Sequence, residues 1–459
     1  MMSSFLCPGP MPRREFMRVG TLALGGMTLS DLLAHRAAAG TQSSDTSVIL
    51  FWMWGGPSQL ETYDMKPNAP SEYRGPFNPI ASKIAGMDLV EHFPLQARIA
   101  DKISVIRTLH HTMSAHNDGS IEVLTGKTPD KPDPTSQARS QHPDFGMVAS
   151  RVRGPRPDGL PQYFGVHRSP FMTKPAYLGL SHQAFHTGDP SKKSFAPKNL
   201  SLAAGVDGKR LDDRRSLVNQ FDRFRRDLDL SGSMQGVDDF RMAAFDMLTS
   251  SKIARAFDLG REPDTVRDRY GRHRWGQNCL LARRLAESGA AVINVDATAP
   301  SDKSENFSWD DHAGPFHLVR ANLERFPLYD QAITALIEDI HQRGLSQKIL
   351  VVACGEFGRT PRLTHRNTFP GKKGGPWLGR DHWPNAFSAL VAGGGLKMGQ
   401  VVGQTNSRAE HPLNDPVTPQ DLLATIYRHL EIDPELGLKD HSGRPIPILS
   451  SGRPIPQLL

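Results

Sequence analysis

The sequence predicts an α/β fold, a three-layer αβα sandwich around a mostly parallel sheet. Three observations predict it. Apolar runs of strand length, such as SVILFWMW from Ser47 and KILVVACG from Lys348, are too uniformly hydrophobic for strands wetted on one face. Segments of helical periodicity alternate with these runs, which implies right-handed crossovers between parallel neighbours. Polar and ionisable residues gather directly after the runs, where open α/β sheets collect functional groups.

In chain order, the first element is an address. Arg13-Arg14 precede Phe16 and Met17, a short apolar stretch TLALGGMTLSDLLA follows, and HRAAAG closes it with small residues. This pattern predicts a twin-arginine (Tat) export signal over residues 1–39, cleaved near Ala39, and a periplasmic or extracellular destination. A membrane anchor needs about 20 apolar residues, and Asp31 interrupts this stretch first. MMSSFLCPGP ahead of it leaves Met11 as an alternative start to Met1. Residues 40–459 are then expected to form a single domain with no membrane span of its own.

The first buried strand runs through SVILFWMW and is closed by Gly55-Gly56-Pro57; ISVIRTL (103–109) is the second. A helix is expected near Gly119, burying Ile121, Val123 and Leu124. The stretch 127–235 is rich in Pro, Lys and Arg and lacks periodicity, so it reads as a long loop insertion with short elements. Helical patterning returns over 238–259 and 275–289, then a strand at 290–296 and a helix at 328–344. A strand through KILVVACG, another through FSALVAGGG (387–395), and a helix capped by Thr418 with Asp421 three residues on complete the order.

Composition narrows the partners. A formal charge of +7, part of it in the signal, is a mild basic excess. No run of Lys and Arg interleaved with aromatics points to nucleic acid. An anionic small molecule or polymer fits at least as well. Cys279 and Cys354 sit in apolar contexts and read as buried small hydrophobes rather than a disulfide.

The loops after the strands carry the chemistry. Ser58, Glu61 and Asp64 follow the first strand; His110, His111, His116 and Asp118 follow the second. SWDDHAGPFH supplies Asp310, Asp311, His312 and His317; GEFGR supplies Glu356 and Arg359; GRDHWP supplies Arg380, Asp381 and His382. Imidazoles and carboxylates from separate loops suit a divalent metal such as zinc, manganese or calcium, with Asp310, His312, His382 and Glu356 as candidate ligands. Arg359 and Arg380 are candidate clamps for an anionic group, because a guanidinium holds phosphate, sulfate or carboxylate with two hydrogen bonds. An ion pair with Glu356 or Asp381 is the alternative use of each.

The ordered motifs LFWMWGGPSQLETYDMKP, VIRTLHH, EVLTGKTP, RYGRHRWGQNCLLARRLAESG, WDDH, VVACGEFGRTP and GRDHWPNAFSALVAGGG resemble the domain-of-unknown-function family 1501 from about Ser47 to Pro445. The resemblance implies an alkaline phosphatase-like fold of the sulfatase and phosphatase superfamily, with metal at the strand ends. Aligned on Leu124-Thr125-Gly126, the sulfatase signature puts His116 where the nucleophilic Cys or Ser would stand, Asp118 at its Pro and Ser120 at its Arg. Histidine cannot become formylglycine, so formylglycine chemistry is not expected. On the phosphatase pattern, Asp310 and His312 fit the first metal pair and His382 the final His. Phe357 replaces a ligand, and the Asp that ends the first strand is missing at Trp54-Gly55-Gly56. One metal site is expected intact and a second damaged.

The export signal and the resemblance together lead to the expectation of an exported, metal-dependent hydrolase of phosphate or sulfate esters, an anionic small-molecule or saccharide ester being the substrate. In it His116 would be a metal ligand, a general base or a nucleophile forming a phosphohistidine. The alternative is a non-catalytic binding protein for an anionic polysaccharide or a partner protein, on a degenerate form of the same fold.

Overall fold

The computed structural model describes residues 45–193, 195, 251–314, 316–368 and 375–459. The export signal expected over residues 1–39 lies outside these residues, as do 196–235 of the expected insertion and most of the helix expected from 238.

Eight strands form the central sheet: β1 (Ser47–Trp52), β2 (Ser104–Leu109), β3 (Tyr163–Val166), β4 (Phe185–His186), β5 (Val292–Asp296), β6 (Ile349–Cys354), β7 (Phe387–Gly393) and β8 (Gln400–Val402). Their spatial order is β8-β2-β7-β6-β1-β5-β3-β4. Every residue of β1 and of β6 is buried, as strands covered on both faces must be. β1 pairs in parallel with β5 and β6, with Trp52 opposite both Asp296 and Cys354, so three strands end level.

The alternation along β1 assigns the two faces. Ile49 and Phe51 point into one core, together with helices α3 (Arg274–Glu287) and α4 (Leu318–Gln342). Val48, Leu50 and Trp52 point into the other, together with α1 (His116–Thr125), α2 (Phe145–Arg153) and α5 (Pro419–His429). The architecture is therefore the αβα sandwich that the apolar runs predict. Asp45–Leu459 forms one compact unit. Among the described residues no helix is long and apolar enough to cross a membrane.

Three details differ from the expectation. β7 runs antiparallel to both β2 and β6. After β6 the chain returns through a ladder of Gly358–Arg359 with His382–Trp383 rather than through a crossover helix, and a return of that kind reverses strand direction. Part of the expected loop insertion joins the sheet as β3 and β4. Strands of four and two residues are too short to show a period. Helix α4 begins at Leu318, ten residues before the expected 328, and carries Pro327 inside it. Its extra turns are fastened by His317, whose Nδ1 accepts from the Val319 amide, and by buried Leu318 and Phe326.

Helix α5 matches the reading of its cap. Thr418 and Asp421 form a reciprocal capping box.

Candidate metal centre

The reversed β7 matters for the site. Parallel strands present their carboxyl ends at one edge, and an antiparallel strand presents its amino end there. The residues after β1, β2, β5 and β6 therefore meet those just before β7.

His116 is the first residue of α1, and all ten residues of that helix are buried. Gly126 closes it at φ 69°, with its amide bonded to the Glu122 carbonyl. The Leu124-Thr125-Gly126 motif is thus the end of a helix whose start carries the histidine. Asp310 lies in the loop after β5. That loop is held by the Trp309 amide on the Trp54 carbonyl (3.0 Å) and the Trp309 indole on the Ala297 carbonyl (2.7 Å). Trp309 also stacks on Trp275 at 5.6 Å. His382 stands opposite Arg359 in the short ladder.

Four side chains converge here. His116, Asp310, His312 and His382 each offer one ligand atom, and these atoms lie within 4.8 Å of one another. His312 Nε2 is 2.8 Å and His382 Nε2 3.2 Å from Asp310 Oδ1; the two Nε2 atoms are 3.0 Å apart. His116 Nε2 is 3.3 Å from Asp310 Oδ2. Ligands about 2.0–2.2 Å from a tetrahedral ion sit about 3.3–3.6 Å from one another, so a small divalent cation fits once these side chains move apart by a few tenths of an ångström.

The outer partners give the set its direction. His312 Nδ1 bonds Asp381 Oδ1 (2.7 Å), His382 Nδ1 the Ser114 carbonyl (2.7 Å), and His116 Nδ1 Glu356 Oε1 (2.6 Å). Each partner is an acceptor, so each Nδ1 donates and Nε2 is the nitrogen left facing Asp310, with a lone pair to offer once the ring is neutral. Metal-binding imidazoles are oriented in just this way by their other nitrogen. The donor set fits a divalent metal ion.

Electrostatics follow from the crowding. Burial pushes the Asp310 carboxyl up, but Arg359 and the three imidazoles outweigh it and hold it well below the usual carboxylate range. Burial lowers His116, yet its bonds to Asp310 and Glu356 prevail and raise it to about 9. His382 goes the other way, lowered chiefly by burial, with Arg359 and His116 adding to the effect against Asp310.

Not every expected residue reaches the cluster. Glu356, expected as a ligand, stands behind His116 instead. Its Oε1 accepts from His116 Nδ1 and from the Gly55 amide (2.8 Å), so it orients a ligand rather than joining the set. Arg359 and Arg380, expected to clamp an anion, are fully buried and spent within the protein. Arg359 holds Asp310 Oδ1 at 2.6 Å and donates to the carbonyls of Gly55, Gly56 and Arg380. Arg380 pairs through Nη2 with Glu61 Oε1 at 2.7 Å and donates to the carbonyls of Tyr73, Thr360 and Pro361. Among the described residues one such His and carboxylate group is found, and Phe357 packs its ring 4.5 Å from that of His382.

The sequence offered Asp381 only as an ion-pair partner of an arginine, not as the partner of His312, and it did not single out the Ser114 carbonyl. Asp381 had a signal, since it adjoins His382; a backbone carbonyl has none.

Beside the cluster lies a cavity of about 450 Å³, and Trp54 touches both. The indole packs 5.2 Å from the His116 ring and lines the cavity.

The model of the family described as "Protein of unknown function (DUF1501)" matches residues 45–459. No curated protein matches the chain. Among solved structures, the lipoteichoic acid synthase LtaP from Listeria monocytogenes is similar at 9% identity and a TM-score of 0.36, over 86% of this chain and 74% of that one. PsFucS1 sulfatase from Pseudoalteromonas sp. is similar at 12% and 0.34, over 93% and 73%. The phosphonate monoester hydrolase SpPMH from Silicibacter pomeroyi is similar at 12% and 0.34, over 90% and 76%.

Proposed function

The chain belongs to the DUF1501 family, and for it we propose metal-dependent hydrolysis of a phosphate or sulfate ester without formylglycine. The observation that supports this is the set of three imidazoles, each fastened through Nδ1, whose Nε2 atoms converge on Asp310. Three nitrogens and one carboxylate suit zinc or manganese, whereas calcium takes six to eight oxygens. A divalent ion there supplies Lewis acidity toward an ester oxygen.

The chain's own groups have defined parts in this reading. His312, His382, His116 and Asp310 hold the ion; Asp381, Ser114 and Glu356 keep the imidazoles aimed. Arg359 keeps Asp310 ionised and in place. Because both arginines are occupied, the anionic group of the substrate is met by the cluster rather than by a guanidinium clamp. The twin-arginine reading of residues 1–39 supports a reaction in the periplasm or outside the cell.

The test is turnover of aryl phosphate and aryl sulfate by wild type and His116→Ala, each with added zinc or manganese. Turnover in wild type that falls at least 100-fold in the variant supports the reading. Turnover unchanged in the variant removes His116 from the mechanism.

One observation favours the second reading, a non-catalytic binding protein for an anionic polysaccharide or a partner protein. Four protein ligands can close a tetrahedral site, as in structural zinc centres. No turnover of either ester with a fully bound ion selects this reading.

A further inference from the structure

The cavity beside Trp54 has a lining that is both aromatic and unsatisfied. Phe171 and Phe307 are 50% and 61% exposed, unusual for rings of that size, and both face it with Trp52 and Trp54. Three of its wall residues carry buried polar atoms with no hydrogen-bond partner among the described residues: Nε1 of Trp52, Nε1 of Trp54 and Oδ1 of Asn294. Asn294 and Trp52 are themselves 2% and 3% exposed. Unpaired buried polar groups are uncommon, and each calls for a partner.

His167 adds a directed group. It lines the same cavity, at a φ of 70° seldom adopted by a residue with a side chain. Its Nδ1 lies 2.9 Å from Asp296 Oδ2, while Asp296 Oδ1 accepts from the Thr298 amide at 3.0 Å. The buried carboxylate fixes the ring and leaves Nε2 for a ligand.

These features restrict the ligand. A wholly apolar molecule would leave two indole donors and an amide acceptor unpaired. A compact inorganic anion would leave the exposed rings of Phe171 and Phe307 facing water. A ring with C–H faces and a rim of hydroxyls, which both donate and accept, satisfies both demands.

We propose that this cavity binds a pyranose unit of a saccharide, with one C–H face against the aromatic wall where Trp54 and Phe171 meet edge to face at 6.0 Å and its hydroxyls toward Asn294 and His167. Under the hydrolase reading, on which this role rests, the pyranose is the organic part of the ester, held against Trp54, which also touches the cluster. The binding itself requires no metal.

The test uses the full chain with lactose and methyl β-glucuronide as probes, read by saturation-transfer NMR and tryptophan fluorescence. At least one sugar is expected to bind, with affinity lowered tenfold or more by Phe171→Ala and by Asn294→Ala. Phe171 is half exposed, so its variant folds even where the buried Asn294 variant fails. His382→Ala, which removes a cluster ligand, is expected to bind the sugar as wild type does. The proposal is overturned if neither sugar binds at tens of millimolar, if Phe171→Ala binds unchanged, or if His382→Ala abolishes binding. Sugar binding without ester turnover overturns the hydrolase reading and leaves the cavity assignment standing.

Discussion

His312 and His382 face each other Nε2 to Nε2 at 3.0 Å, and each has its Nδ1 engaged elsewhere, on Asp381 and on the Ser114 carbonyl. At that separation the two nitrogens share either a proton or a metal ion, since two bare lone pairs would repel. We expect His312→Ala or His382→Ala to lower bound metal per chain at least tenfold with the circular dichroism spectrum retained. Both rings are partly exposed, so truncation leaves the core intact. Unchanged metal content in either variant would count against the cluster.

Asp381 acts through His312. Its carboxylate is about half exposed, so it adds little to the core. Asp381→Ala should weaken metal binding by about 10–100-fold, as loss of an orienting partner usually does. Competition with a chelator of known affinity measures this, and a loss of less than twofold would make the contact incidental.

The imidazolium of His116 gives a pH dependence of known sign. Its value in the folded protein, about 9, lies above the unfolded value of about 6.5. In chelator-stripped protein its stabilising contribution is complete below about pH 6.5 and is lost as pH rises through about 9. Metal has to displace the same proton, so apparent affinity should rise across that window and then level. Thermal melts of stripped protein and zinc titrations between about pH 6 and about pH 10 check both trends; flat profiles would contradict the assignment.

Glu61 and Arg380 form a fully buried ion pair, and neither side chain is exposed at all. Removing one partner strands the other charge. Glu61→Ala should cost about 3–5 kcal/mol by chemical denaturation. Because the pair lies outside the cluster, metal per folded chain should stay as in wild type.

Gly55 is needed where it stands. It sits at φ 108°, and a Cβ there would lie 2.6 Å from the backbone nitrogens of Trp309 and Asp310. Gly55→Ala should displace the Asp310 loop and reduce metal occupancy more than Asp381→Ala does. Equal occupancy to wild type would show that the loop can shift without moving its ligand.

The sandwich was legible because buried parallel strands must be uniformly apolar; SVILFW and ILVVAC admit few other placements. Strands β3 and β4 were not legible, since four and two residues carry no period and their pairing is decided by neighbours far along the chain. The same distinction holds at the site. Asp310, His312 and His382 announce themselves as ionisable residues beside strand ends. Whether a nearby arginine faces solvent or a buried carboxylate depends on packing, and only the fold brings Glu61 to Arg380 and Asp310 to Arg359. Glu356 was visible as a carboxylate, but its place behind His116 is set by the Gly55 amide, which no spacing rule reports.

The central claim is that His116, Asp310, His312 and His382 hold one metal ion. Its most direct test is zinc titrated into chelator-stripped wild type and His382→Ala, with bound metal counted per chain by elemental analysis. The structure predicts about one ion per wild-type chain and at least a tenfold lower occupancy in the variant. Wild type that binds less than about a tenth of an ion per chain, or a variant that binds as much as wild type, would contradict it.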